Sequence, residues 1–98
     1  MKTMEKPQLI PLYFGEQFIV LEVTGNAEVN MPIHYCTSET VVTIQKGRAI
    51  LIIDEAEKEL ATGMSVLLPA RKEHSLKIIE SLKAQVVMAK DATIEFES

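Results

Sequence analysis

The sequence is poor in cysteine and in basic charge. Its single cysteine, Cys36, cannot form an intramolecular disulfide, so the chain has no use for an oxidising compartment. Ten lysine and arginine residues stand against fourteen aspartate and glutamate residues, which gives a net charge of −4. Nucleic acids and acidic membranes both require a basic patch on their partner. We therefore expect neither nucleic acid nor membrane as a partner.

Long apolar segments are also missing. The longest uninterrupted apolar run, Ala49–Ile53, has five residues, whereas a membrane-spanning helix needs about 20. Residues 1–7 carry no apolar stretch behind their lysines, and a secretory signal would need one. Together with the unpaired cysteine, these features predict a cytoplasmic protein.

What the chain does contain is the composition of a small globular domain. Hydrophobic residues make up 47% of its 98 residues and charged residues 24%, which excludes the disordered class. This length suits one domain with one modest core. We predict a single domain over residues 1–98.

Apolar and polar side chains alternate with a period of two along most of the chain, as expected of half-buried strands. Ile19, Leu21 and Val23 share one face of such a segment. Strands are predicted at residues 18–24, 40–45, 48–53, 64–68, 74–78, 85–89 and 93–97, and the charged stretch 54–59 is predicted to be an exposed hairpin tip. Seven to nine short strands at this spacing predict an all-β sandwich or barrel.

Two segments place candidate functional residues at fixed spacings. In the first, His34 and Cys36 are separated by one residue, Thr40 follows, and Gly47 lies thirteen residues after His34.

The second segment places Gly63, Pro69 and His74 at intervals of six and five residues. Together, the segments at about 34–47 and 63–78 resemble the two motifs of the cupin superfamily. There, His-x-His is followed by a glutamate and a glycine, and later by Gly, five residues, Pro-x-Gly, two residues and His. The resemblance implies a small, single-domain, RmlC-like cupin, a double-stranded β-helix or jelly-roll barrel with a pocket between its sheets.

The chain departs from the cupin pattern at several positions. Cys36 stands where cupins have the second histidine, and Thr40 stands at the glutamate position. Glu39 lies one residue earlier, and strand alternation turns it to the outside unless a bulge intervenes. Arg71 replaces the glycine after Pro69, which is tolerable if the turn does not need a positive φ.

The resemblance implies a weakened metal site. Cupin metalloenzymes hold iron, manganese, nickel, zinc or copper with three histidines and a carboxylate, and only His34 and His74 keep their identity here. Cys36 would add a thiolate, a soft ligand that favours zinc or copper, with nickel also considered. We expect no tightly held cofactor, and the alternative is a divalent transition metal on His34, Cys36 and His74.

The pocket is expected to be mostly apolar, with Val42, Ile44, Met64, Val66 and Leu76 facing inward. Its predicted lining is His34, Cys36, Thr40, Val42, His74 and Leu76. We predict that it binds a small molecule; the alternatives are a metal-dependent oxygenase-like or isomerase-like enzyme using the three metal candidates, and a structural dimer with no ligand. No catalytic residue is assigned, and enzymatic activity stays open. We also expect a homodimer, with the apolar segment Leu9–Phe14 at or near its interface.

Overall fold

The computed structural model describes residues 7–96, and every regular element in that range is a β-strand. The eight strands are β1 Gln8–Phe14, β2 Phe18–Gly25, β3 Asn30–Cys36, β4 Thr40–Ile53, β5 Ala56–Ala61, β6 Ser65–Leu68, β7 His74–Ala89 and β8 Ile94–Phe96. The all-β prediction is therefore confirmed. Residues 1–6, and residue 97 of the predicted last strand, lie outside the described range. Within that range, no helix is available to cross a membrane.

β4 and β7 organise the sheet. They pair antiparallel, from Thr40 opposite Met88 to Ile53 opposite His74. The first half of β4 and the second half of β7 lie between β6 and β2, with β1 beyond β2; we call this group wall 1. The second half of β4 and the first half of β7 lie between β5 and β3, with β8 beyond β3; we call this group wall 2. The eight-stranded sheet thus curls into two walls around one core.

The prediction that residues 40–45 and 48–53 form separate strands is wrong, because both segments belong to β4. Gly47 bends this strand instead of ending it, and the register with β7 shifts on both sides of it. Its φ of 93° is the left-handed conformation that glycine adopts without strain. A Cβ atom here would also collide with the backbone oxygens of Ser81 and Glu80. In the same way, residues 74–78 and 85–89 are parts of one strand, β7.

The hairpin between β4 and β5 is tighter than predicted. Its turn consists of Asp54 and Glu55 alone, and Ala56 already pairs with Ile53. Both turn residues have positive φ, 55° and 64°, which matches the right-handed twist of the flanking strands. Residues 56–59 therefore belong to a strand and not to an exposed tip.

The core follows the predicted alternation in most strands. Ile19, Leu21 and Val23 are all buried, and the most completely buried large side chains are Ile44, Leu60 and Ile78.

Met64 is an exception to the inward positions predicted from the sequence. It lies in the turn before β6, is 37% exposed, and its sulfur accepts a hydrogen bond from the Ala61 amide. The pleat does not extend to this residue, so the two-residue period does not apply to it.

Candidate ligand-binding pocket

A cavity of about 70 Å³ lies between the two walls. Within residues 7–96, its lining contains no aspartate, glutamate, lysine or arginine, and the only ionisable side chains are two histidines and one cysteine. All six residues that the sequence analysis placed in the pocket line it: His34, Cys36, Thr40, Val42, His74 and Leu76. Drug-sized ligands occupy pockets of about 300–1,000 Å³, and a dry cavity of about 150 Å³ holds benzene. The cavity therefore has room for a molecule of only a few heavy atoms.

The two histidines lie side by side in the lining of the cavity. His34 near the end of β3 and His74 at the start of β7 are direct partners in the antiparallel ladder, so their side chains share one face. Their ring centroids are 4.3 Å apart at an interplanar angle of 64°. Each residue is only 7% exposed. Strand pairing thus brings together two imidazoles that are forty residues apart in the sequence.

The hydrogen bonds of the two rings determine their tautomers. Nδ1 of His34 lies 2.6 Å from the carbonyl oxygen of Pro32, and Nδ1 of His74 lies 3.0 Å from that of Lys72. A carbonyl oxygen can only accept, so each Nδ1 carries the proton and donates it. In a neutral ring the other nitrogen, Nε2, is then a hydrogen-bond acceptor.

Burial keeps both rings neutral. It lowers the pKa of His34 below the usual value of 6.5; the Pro32 carbonyl opposes this shift and the neighbouring His74 adds to it. Burial also lowers the pKa of His74, against the smaller opposing effect of the Lys72 carbonyl. An imidazolium in this apolar cavity would lose its hydration without gaining a counter-charge. Both Nε2 atoms are therefore acceptors near neutral pH.

Cys36 is turned towards another sulfur. It is 5% exposed, and its Sγ donates to Sδ of Met88 at 3.4 Å, with Ser38 Oγ at 3.9 Å. Met88 in β7 is itself 5% exposed. The contact joins residues 52 positions apart, and no local pattern encodes it.

No carboxylate replaces the one that cupins supply at the position of Thr40. Thr40 is 4% exposed, and its hydroxyl donates to the Ser38 carbonyl at 3.2 Å. Glu39 is exposed, as expected from the sequence, but it lies in the loop between β3 and β4, so strand alternation is not the cause.

These residues do not fit a cupin-type metal centre. Within residues 7–96, no three His, Cys, Asp or Glu side chains are grouped closely enough to hold a metal ion. The arrangement expected for His34, Cys36 and His74 is therefore not formed, although all three line the same cavity. The physical reason is that the thiol of Cys36 points at Met88, and that Thr40 supplies a hydroxyl bonded to the Ser38 carbonyl in place of a carboxylate.

Two residues beside the histidines were not identified as site residues from the sequence. Phe96 in β8 pairs with His34, their ring centroids lie 5.1 Å apart, and the phenyl ring contributes to the burial of the imidazole. The sequence predicted a strand at residues 93–97, but not its pairing with β3. Arg71 adopts a φ of 63°, and its amide donates to the Cys36 carbonyl at 2.7 Å. The turn after Pro69 thus does need a positive φ, at a cost of about 1–2 kcal/mol for a side chain other than glycine.

No family model and no curated protein matches the chain. Among solved structures, the chain is similar to an RmlC-like cupin family protein from Methanocaldococcus jannaschii, with 25% identity, a TM-score of 0.76, and coverage of 91% of this chain and 85% of that one. It is also similar to the DMSP lyase DddQ from Ruegeria pomeroyi, with 19% identity, a TM-score of 0.83, and coverage of 95% and 52%. A third structure is the polyketide cyclase RemF from Streptomyces resistomycificus, with 16% identity, a TM-score of 0.74, and coverage of 86% and 64%.

The chain therefore has the cupin fold, the double-stranded β-helix or jelly roll. Its structural neighbours include RmlC-like cupin proteins, in agreement with the resemblance found in the sequence. At two positions of the cupin metal motif this chain carries Cys36 and Thr40 instead.

Proposed function

We propose that this cupin binds a small, mostly apolar molecule between its walls without a tightly held metal ion. The observation that carries the proposal is the apolar cavity between the walls, whose lining includes two adjacent, neutral imidazoles. Apolar walls supply the affinity in such sites, and a few polar groups orient the ligand. We place the protein in the cytoplasm, where the free thiol of Cys36 would stay reduced.

Thermal-shift measurements with a library of small neutral compounds test the binding function. A ligand of the folded state should raise Tm further at each concentration above its Kd. Ala84→Val should abolish the shift, because the buried Ala84 lines the cavity and added methyl groups fill it. Ala89→Val, on the opposite face of the same strand, is the matched control and should leave the shift unchanged. The proposal fails if no compound raises Tm, or if Ala84→Val responds like the wild type.

A metal-dependent enzyme using His34, Cys36 and His74 is the second candidate function. One observation favours it: hydrogen bonds from Nδ1 to backbone carbonyls leave Nε2 available, as in histidines that ligate metals. Elemental analysis of protein purified without chelators distinguishes the two proposals. We expect well below one ion per chain, and near-stoichiometric zinc, copper, nickel or iron that is lost in His74→Ala would establish the second candidate instead.

We further propose that the partner of this chain is a second copy of itself, docked on the outer face of wall 1. A row of side chains crosses all five strands of that face through successive cross-strand pairs. We call it the apolar row, and its members are Tyr13, Val20, Val87, Val41 and Leu67. Wall 2 instead carries ion pairs from Arg48 to Glu59 and Glu80.

The dimensions and charge of this face suit a symmetric dimer. Five strands at about 4.8 Å spacing, with about eight residues along the longest, form a flat area of roughly 600 Å². The side chains that project from it add to the surface available for contact. A standard interface buries about 800 Å² per partner. Two copies that each carry a charge of −4 repel each other, but the apolar row has no charge and pairs with itself in a twofold arrangement. Tyr13 would bring the segment Leu9–Phe14 into the interface, as expected from the sequence.

A further inference from the structure

The hydrogen-bond donors of the cavity are already used within the protein. Among the residues that line it, only His34, Cys36, Thr40 and His74 carry polar hydrogens on their side chains. The thiol donates to Met88, the hydroxyl to the Ser38 carbonyl, and the two Nδ1–H groups to backbone carbonyls. No donor in this set is free to reach a ligand.

The acceptors of the cavity are free. Within residues 7–96, neither Nε2 atom makes a hydrogen bond, because the only bonds of both rings run through Nδ1. Both rings line the cavity, and their centroids are 4.3 Å apart. No buried side-chain nitrogen or oxygen among the described residues lacks a hydrogen-bond partner, so the two unbonded Nε2 atoms are accessible and not sealed off. A molecule that displaces water from them must supply a hydrogen, because an acceptor left without a partner is costly.

We propose that the cavity selects neutral molecules that carry an O–H or N–H donor on a small apolar body. This inference rests on the proposed binding function and names its ligand class. A ketone or ether of equal size would place an oxygen lone pair against the imidazole lone pairs and leave both groups unsatisfied. A carboxylate would find no free donor, and an ammonium group would find no counter-charge, since none of the described residues that line the cavity is charged. The site therefore discriminates by the direction of one hydrogen bond.

Titration with propan-2-ol and acetone tests this selectivity. The two probes are similar in size, but propan-2-ol can donate a hydrogen bond and acetone can only accept one. Binding is measured from the NMR signals of cavity methyl groups, such as those of Val86 and Leu68, at about pH 7.5. We expect propan-2-ol to bind about tenfold more tightly than acetone. Equal affinities, or a preference for acetone, would overturn the inference while leaving the binding function intact. If neither probe moves these signals, the binding function itself is contradicted.

Two variants separate hydrogen-bond direction from general packing. In His74→Gln the side-chain amide offers both a donor and an acceptor, so the preference for propan-2-ol should shrink while binding persists. Leu76→Met changes an apolar wall residue of the same cavity and should keep the wild-type preference. An undiminished preference in His74→Gln would refute the role of this imidazole.

A measurement on the unaltered protein covers the case in which His74→Gln does not fold. Long-range ¹H–¹⁵N spectra of the two imidazoles report which ring nitrogen carries the proton. We expect protonated Nδ1 and unprotonated Nε2 in both rings. A proton on either Nε2 would mean that the site offers a donor, and this would overturn the inference.

Discussion

At the scale of single residues, His34 and His74 link the stability of the fold to pH. Both imidazoles are buried against apolar side chains, and none of the cavity-lining residues is acidic. Their pKa values therefore lie below the 6.5 of the unfolded chain. Below pH 6.5 the unfolded state binds protons that the folded state does not take up, and the equilibrium moves towards unfolding.

We expect the free energy of unfolding to be highest above pH 6.5 and to fall as the pH drops from 6.5 towards the lowered pKa values. Urea denaturation at about pH 7.5 and about pH 5 measures the difference. The decrease should be smaller in His74→Phe, which removes one of the two buried titrating groups. An equal decrease in both proteins would show that other groups cause the pH dependence.

At the scale of elements, the bend in β4 depends on the backbone at Gly47. Gly47 and Gly63 share almost the same φ, 93° and 92°, but their surroundings differ. An added Cβ at Gly47 would collide with two backbone carbonyls of β7, whereas nothing lies within 4 Å at Gly63. Conformational strain is therefore common to both positions, and a steric clash applies only to the first.

Alanine substitution at the two glycines should separate these effects. We expect Gly63→Ala to cost about 1 kcal/mol through its left-handed backbone, and Gly47→Ala to cost about 2–4 kcal/mol because the clash adds to the strain. Urea denaturation of both variants measures the costs. A Gly47→Ala variant that does not fold, beside a folded Gly63→Ala, would also show that the cost at Gly47 is the larger one. Equal costs would show that β4 and β7 can separate at the bend without penalty.

At the scale of the whole molecule, the two walls present different surfaces to their surroundings. The outer face of wall 1 exposes Tyr13 at 70% and Leu67 at 56%, together with Val41 at 39%. The charged pair nearest to this row, Glu22 and Lys83, lies beside it and not within it. An uncharged row of exposed apolar side chains on an acidic protein favours association with another copy.

Sedimentation analysis at micromolar concentration should therefore find a dimer. Val41→Glu places one negative charge from each copy within the apolar row and should give monomers. Ile33→Glu is the matched control, since Ile33 is 45% exposed on β3 in wall 2, and it should remain dimeric. A monomeric wild type, or dissociation by Ile33→Glu alone, would contradict the proposed interface.

Strand alternation is a local property of the pleated backbone, and the sequence alone therefore determined which side chains face inward. It placed Ile19, Leu21 and Val23 in the core, and the motif spacing predicted the jelly roll. Local patterns failed where the backbone leaves the pleat. Thus they missed that Gly47 bends a continuous strand, that the turn after Ile53 has two residues, and that Arg71 takes a positive φ.

Only the tertiary structure decided what each inward side chain meets. The register of strands that are distant in sequence brings Cys36 against Met88. It also places His34 between His74 and Phe96. The direction of the hydrogen bonds in the cavity also depends on which carbonyls lie next to each ring. Strand register and ring orientation are determined when the two walls pack together. The two-residue alternation of the sequence does not encode them.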